Sequence, residues 1–222
     1  MTLLASWERT CRAAGGAPAV IDAAAGRLWT RGEIQAGAAA WAARHGPGLR
    51  GAAVVFAEPN GPRWLEVLLG LLLAGAIPAA ADPGEPPAAQ RGLARAAGAA
   101  ARWADGRLEP AEAVRRFRLR RGARLLKLTS GTSGTPRALA FTDAQLLADS
   151  RQICATMGIR PGDLNLGLVP FGHSYGLGNL VVPLLAQGPS DSTPPASNTV
   201  PVLMKAARVA SNVSPLLMLI RP

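Results

Sequence analysis

Hydroxyl and glycine residues are concentrated in residues 129–135, which contain five Ser or Thr side chains and two glycines. Gly131 and Gly134 lack a Cβ, so their backbone N–H groups can approach a ligand closely. Arg137 follows Pro136 and adds a guanidinium group, and these donors together are typical of a loop that binds a polyphosphate. The alternative is a polar turn between two strands. A Walker A loop is excluded because its Gly-Lys-Ser/Thr ending is missing.

Residues 129–137 read Thr-Ser-Gly-Thr-Ser-Gly-Thr-Pro-Arg. They resemble the signature Thr-Ser-Gly-Thr-Thr-Gly-x-Pro-Lys of the adenylate-forming enzymes, the family of acyl-CoA synthetases, peptide-synthetase adenylation domains and luciferases. Ser133 replaces a Thr and keeps the hydroxyl group, whereas Arg137 replaces a Lys and keeps the charge. The resemblance implies that this loop holds the phosphates of ATP alongside Mg²⁺. The implied ATP-binding residues are Thr129, Ser130, Gly131, Thr132, Ser133, Gly134, Thr135 and Arg137.

Residues 169–176 read Val-Pro-Phe-Gly-His-Ser-Tyr-Gly and resemble the family's Pro-x-x-His-x-x-Gly stretch, with His173 lying 36 residues after Arg137. In the family this stretch borders the acyl pocket, so the resemblance makes His173 the candidate catalytic residue. Its implied role is to border and position the acyl chain, and we do not expect it to act as a general base. The alternative for a lone histidine is a partly buried, hydrogen-bonded loop residue. No metal-ligating cluster of side chains is predicted.

Strand and helix patterns alternate along the first 188 residues. They predict an α/β fold of layered, largely parallel sheets with flanking helices. Over about residues 4–188 the chain resembles the large N-terminal domain of adenylate-forming enzymes, in incomplete form. The predicted strands are 17–22, 52–57, 77–81, 125–129, 137–141 and 164–169. The predicted helices are 3–14, 30–44, 61–74 with Asn60 as its cap, 86–97, 142–157 and 176–186.

The composition changes after Gly188. Residues 1–188 contain all 25 glycines and every aromatic residue of the chain, whereas residues 189–222 contain neither. We therefore expect two parts: a partial AMP-binding domain over residues 1–188, and an atypical tail over residues 189–222. One hypothesis is that the reading frame shifts or the gene breaks near Gly188. A natural short protein with a disordered tail is the alternative.

The net charge is +10, and six arginines fall within residues 115–124. Such a cluster could contact the phosphates of a nucleic acid. We favour a solvated surface segment that precedes the phosphate loop, because no helix-turn-helix, zinc or RNA-binding signature accompanies the cluster. Nucleic acid is therefore not the expected partner.

Cys11 and Cys154 lie far apart in the sequence and have no metal-ligating neighbours. We read both as free thiols of a protein in a reducing cytoplasm. The uncharged, apolar stretch over residues 67–81 has 15 residues and is too short to span a membrane. A buried helix followed by a buried strand is predicted there.

The resemblance implies activation of a carboxylic acid by ATP, giving an acyl-adenylate that is transferred to coenzyme A or to the phosphopantetheine thiol of a carrier protein. The family's adenine-binding Thr-Glu pair and its adenylation lysine have no match here. No Glu follows Glu112, and the only lysines are Lys127 and Lys205. We therefore expect this chain alone to be inactive. The alternatives are a non-catalytic remnant and a basic module that binds phosphate or nucleic acid.

Overall fold

The computed structural model describes residues 1–22, 26–111, 121–129, 136–160 and 163–187, and the backbone of residues 218–220. The helices are α1 (Leu3–Ala14), α2 (Arg31–His45), α3 (Pro62–Leu73), α4 (Pro87–Ala96), α5 (Asp143–Met157), α6 (Ser174–Gly176) and α7 (Val182–Ala186). The strands are β1 (Pro18–Asp22), β2 (Arg27–Thr30), β3 (Ala53–Ala57), β4 (Ile77–Ala81), β5 (Ala101–Ala104), β6 (Arg107–Pro110), β7 (Ala123–Thr129), β8 (Arg137–Thr142), β9 (Asn165–Leu166) and β10 (Met218–Ile220).

Six strands form the main sheet in the order β6-β5-β3-β4-β7-β8. The four inner strands pair in parallel, and the two outer strands are antiparallel to their neighbours. β3 is buried along its whole length, as expected for a strand covered on both faces. Its Val54 and Phe56 join one apolar cluster with α2 and α3, whereas Val55 joins a second cluster with α4. The predicted α/β class with a largely parallel sheet is confirmed.

The hairpin of β5 and β6 was not among the predicted elements. Asp105 and Gly106 form its turn with φ values of 52° and 73°. Two successive positive φ values characterise the type I′ turn, for which Asp-Gly is a favoured sequence. The dipeptide was therefore the available signal for this hairpin.

Local capping explains where two helices begin. The hydroxyl oxygen of Thr30 accepts from the backbone N–H of Glu33, and the Glu33 carboxylate accepts from the N–H of Thr30 at 2.7 Å. Thr142 and Gln145 make the same reciprocal pair at the start of α5. Both capping boxes satisfy N–H groups that a helix start otherwise leaves unpaired, and both predicted helix starts are confirmed.

The uncharged residues 67–81 form the end of α3, a turn, and β4. Leu65, Leu68 and Leu71 of α3 are fully buried. The predicted buried helix and buried strand are confirmed. Within the described ranges, no helix combines the length and the apolar character that crossing a membrane requires.

A smaller antiparallel sheet has the strand order β2-β1-β10-β9. β10 lies between β1 and β9 and pairs with both. The strand predicted over residues 164–169 is shorter than expected, since β9 contains only Asn165 and Leu166. The helix predicted over residues 176–186 begins earlier, at Ser174, and its middle, Leu177–Val181, is π-helical. Pro183 follows, and its missing N–H group removes an α-helical hydrogen bond there.

We predict that protonation of His45 destabilises the fold. Its ring lies 5.3 Å from that of Trp41 and 4.9 Å from that of Trp103. Burial, followed by the charges of Arg44 and Arg63, lowers the pKa of His45. The folded state therefore binds fewer protons than the unfolded state below the unfolded pKa of about 6.5, and the free energy of unfolding falls as the pH drops through that value.

The measurement is urea unfolding at about pH 7.5 and about pH 5.5, on either side of the unfolded pKa. The variant His45→Gln should lose much of the difference between the two free energies of unfolding. The control His173→Gln, at an exposed position, should keep it. An unchanged difference in His45→Gln would contradict this assignment.

Candidate functional site

The β7–β8 ladder holds the two ends of the predicted phosphate loop side by side. Thr129, the last residue of β7, pairs with Arg137, the first residue of β8. Both residues are exposed. The ladder therefore fixes the points at which the loop leaves and re-enters the sheet. The other predicted ATP-binding residues lie outside the described residues: Ser130, Gly131, Thr132, Ser133, Gly134 and Thr135.

Thr129 opens onto a cleft at one edge of the main sheet. β4 and β7 pair in parallel through Ala79 and Leu126, so their carboxyl ends meet at the same edge. An open cleft of about 620 Å³ lies there, and its lining includes Asp82, Thr129 and His173. Ligands of open α/β sheets bind at this edge. The structure thus brings Thr129 and His173 onto one cleft.

Asn60 fixes the chain that leads to His173. Its Nδ2 donates to the carbonyl oxygens of Gly167 at 3.2 Å and Val169 at 2.9 Å. Its Oδ1 accepts from the N–H of Phe171 at 2.7 Å. These bonds explain why β9 is short: two carbonyl groups of the predicted strand bond to an amide side chain.

The prediction that Asn60 caps α3 is wrong. The N-cap residue of α3 is Gly61, no side chain forms a capping hydrogen bond at this helix start, and Pro62 occupies the first turn. Pro has no N–H to be capped, so the amide of Asn60 is left for the segment before His173. The position of Asn60 after a buried parallel strand, at the carboxyl edge of the sheet, was the signal for this role.

Phe171 anchors the His173 segment in the core. It is fully buried, and its ring lies edge-on to that of Trp64 at 5.5 Å. Gly172 permits the close approach to β4, because a Cβ there would lie 3.2 Å from the Cβ of Ala80. His173 itself is exposed; its N–H donates to the carbonyl of Pro170. The buried Phe171 thus fixes the segment in which the exposed His173 lines the cleft.

Sequence reasoning missed two acidic residues of the cleft, Asp82 and Glu85, whereas Tyr175 lies in the 169–176 segment that was expected to border the pocket. Asp82 accepts from the N–H of Gly84 at 2.8 Å and so shapes the turn after β4. The Oε2 atom of Glu85 is buried and has no hydrogen-bond partner among the described residues. The Asp-Pro pair directly after a predicted buried strand was the signal for the acidic side of this cleft.

Lys127 stabilises the strand that carries the loop and does not line the cleft. Its ammonium group lies 4.0 Å from the Asp149 carboxylate and 4.7 Å from the ring centre of Phe141. Arg124 on the same strand bonds to Asp143 at 3.0 Å. These contacts attach β7 to β8 and α5, the elements on either side of the phosphate loop.

The two cysteines are free, as predicted. Burial raises the pKa of Cys11 to about 11 and also raises the pKa of Cys154. Both thiols are therefore protonated near neutral pH, and neither has the thiolate character of a nucleophile.

Comparison with solved structures confirms the predicted resemblance at the level of the fold. The chain is similar to MbtA from Mycobacterium smegmatis, with a TM-score of 0.67, 18% identity, and coverage of 85% of this chain and 43% of that chain. It is similar to the inhibitor-bound N-terminal domain of FACL13 from Mycobacterium tuberculosis, with a TM-score of 0.70, 15% identity, and coverage of 85% and 56%.

It is also similar to the N-terminal subdomain of Klebsiella oxytoca NpsA in complex with 3-hydroxybenzoyl-AMSN, with a TM-score of 0.68, 18% identity, and coverage of 95% and 58%. All three are adenylate-forming enzymes, matched over the N-terminal part of their chains. The present chain thus has the fold of that part and spans about half of their length. No protein-family model matches the sequence, and no curated protein matches it.

We predict that Asn60→Ala lowers the free energy of unfolding by about 2–4 kcal/mol, because three hydrogen bonds are lost at about 0.5–1.5 kcal/mol each. Asn60→Asp should also destabilise, since a carboxylate cannot donate to the carbonyls of Gly167 and Val169. Urea unfolding measures both effects, and hydrogen exchange at the Phe171 amide reports the segment itself.

The matched control is Asn179→Ala, which removes one exposed hydrogen bond to the carbonyl of Tyr175. It should cost about 1 kcal/mol or less. Equal losses in Asn60→Ala and Asn179→Ala would contradict the special role of Asn60.

Proposed function

We propose that this chain supplies the phosphate-binding half of an ATP-dependent acid–thiol ligase that forms an acyl-adenylate. The observation that carries the proposal is the meeting of Thr129 and His173 on one cleft, in the fold of adenylate-forming enzymes. His173 would border the acyl chain and position it. The two free cysteines support a reducing, cytoplasmic location.

The arrangement around the cleft fits ATP. Thr129 and Arg137, which flank the hydroxyl-rich segment, are paired neighbours on β7 and β8. Ser130, Thr132, Ser133 and Thr135 would donate hydroxyl groups to the β- and γ-phosphates, and Gly131 and Gly134 would donate backbone N–H groups. Arg137 would offset negative charge. Mg²⁺, when bound, supplies further neutralisation of the phosphates.

The proposed reaction has two displacements. A carboxylate oxygen of the acid attacks the α-phosphorus of ATP, forming the acyl-adenylate and releasing pyrophosphate. A thiol, from coenzyme A or from carrier-protein phosphopantetheine, then attacks the acyl carbon and AMP leaves. Chemistry of this kind depends on positioning and on stabilising developing charge. The residues described above serve those two tasks.

We predict that Mg-ATP raises the melting temperature of this chain. At about ten times Kd the stabilisation is about 1.4 kcal/mol, or about 3–6 °C for a chain of this size. The double variant Thr132→Ala, Arg137→Ala should lose the shift. Differential scanning fluorimetry at low and high salt measures it.

Two controls locate the binding. Arg137→Lys keeps the charge and should keep most of the shift, whereas Arg121→Ala removes an exposed arginine before β7 and should leave the shift unchanged. A shift that survives in the double variant would place ATP elsewhere and would contradict the proposal.

We also predict that the purified chain does not catalyse acid-dependent exchange of pyrophosphate into ATP. No Glu follows Glu112, and only Lys127 and Lys205 could serve as the adenylation lysine. Lys127 is engaged with Asp149 and Phe141. Robust exchange across a panel of aryl and alkyl acids would show that these residues form a complete active site and would overturn the prediction.

A further inference from the structure

A second cavity lies between the amino-terminal part of α5, the end of α7 and Met1, and has a volume of about 310 Å³. That volume is at the lower end of the range for small-molecule sites, about 300–1,000 Å³. β8 runs antiparallel to β7, so β8 ends and α5 begins at the sheet edge opposite the ATP cleft. The described lining residues of the two cavities are all different.

The elements around this cavity are held in place by contacts of their own. The Asp143 carboxylate accepts from the N–H of Leu3 at 2.8 Å and from Nε of Arg124 at 3.0 Å, which ties the start of α5 to α1 and β7. Leu184 and Leu185 of α7 are fully buried. A cavity with fixed walls needs little reordering when a ligand binds.

Arg151 brings a positive charge to the cavity. It is exposed on α5, and its Nε donates to the carbonyl of Leu147 at 3.2 Å. No carboxylate of the described residues pairs with it, and none of the described lining residues is acidic. A guanidinium group without a counter-charge favours an anion, and its planar fork matches a carboxylate.

Gln187 brings an acceptor that lacks a donor. Its backbone N–H donates to the carbonyl of Pro183 at 2.9 Å, which fixes the residue at the end of α7. Its Oε1 atom is buried and has no hydrogen-bond partner among the described residues. A buried acceptor without a partner is unfavourable, so a ligand with an N–H group would supply what the chain does not.

The remaining lining limits the charge and size of the ligand. Ala144, Leu147 and Ala186 give the cavity an apolar part that suits a short alkyl group. An ammonium ligand would meet no counter-charge among the described lining residues. A phosphate dianion would meet only Arg151 there, and its second charge would lose water without a partner.

We propose that this cavity binds a small N-acyl amino acid. The carboxylate pairs with Arg151, the amide N–H donates to Oε1 of Gln187, and a short side chain packs on Ala144 and Leu147. In such a molecule one carbon atom joins the carboxylate to the amide nitrogen, so a small cavity accommodates both groups. With so few contacts the Kd is on the order of 1 mM. The cavity is separate from the ATP cleft, so the inference does not rest on the proposed function.

The test is an amide NMR titration of the chain with N-acetyl-alanine, which has both polar groups and a methyl side chain. Its methyl ester removes the negative charge and keeps the N–H group. O-Acetyl-lactate has an oxygen atom in place of the N–H group and keeps the carboxylate. We expect N-acetyl-alanine to shift the signals of Arg151 and Gln187 and to leave those of Thr129 and His173 in the ATP cleft in place.

Two variants assign the two contacts. Arg151→Gln should weaken the binding of N-acetyl-alanine by about threefold or more and leave that of the methyl ester unchanged. Gln187→Leu should weaken it by about threefold or more, leave the binding of O-acetyl-lactate unchanged, and keep the melting temperature because an unpaired buried acceptor is removed. Arg12→Gln and Gln152→Leu, at exposed positions, are the matched controls. If Gln187→Leu shows no cooperative melting transition, Gln187→Met replaces it.

Four results would overturn the proposal. The first is the absence of shifts at Arg151 and Gln187 with N-acetyl-alanine at about twenty times the expected Kd. The second is a set of shifts at His173 in their place, since the acid would then occupy the ATP cleft. The third is tighter binding of inorganic phosphate than of N-acetyl-alanine. The fourth is equal weakening by a cavity variant and its matched control.

Discussion

Parallel pairing of β3, β4 and β7 is the constraint on which the site depends. Parallel strands must be joined by crossovers, so every carboxyl end of the inner strands meets one edge of the sheet. The positions of Thr129 and Asp82 at this edge follow from that rule alone, since each residue lies at or just after the end of its strand. The helices that make the crossovers cover both faces of the sheet and bury its apolar residues. The cleft is thus a consequence of the same topology that builds the core.

His173 must also lie at that edge of the sheet, and side-chain contacts hold its segment there. Asn60 holds the segment before His173 through three hydrogen bonds to backbone groups. Phe171 secures the same segment against Trp64 in the core. An amide side chain, with two donors and an acceptor, can bond to carbonyl and N–H groups at once. The histidine is held by its neighbours and stays exposed itself.

Sequence patterns predicted those parts of the fold that are decided locally. The capping boxes at Thr30 and Thr142 predicted two helix starts, because the capping residue and its partner lie within four residues of each other in the sequence. The Asp105-Gly106 turn was equally local, but the strands beside it are short and were overlooked. Asn60 was misread because its partners lie 107 to 111 positions away; its position after a buried strand indicated the edge of the sheet but not the segment to which it bonds. The acidic residues of the cleft were missed for the same reason: their role arises only when β4 and the His173 segment meet.

The central claim is that the phosphate loop and His173 serve one cleft. Amide NMR spectra recorded during a titration with Mg-ATP test it most directly. The account predicts that the signals of Thr129 and His173 shift together with one apparent Kd, while those of Arg91 and Arg102, which line the groove between α4 and the β5–β6 hairpin, stay in place. Shifts confined to Arg91 and Arg102, or shifts at Thr129 without any at His173, would contradict it.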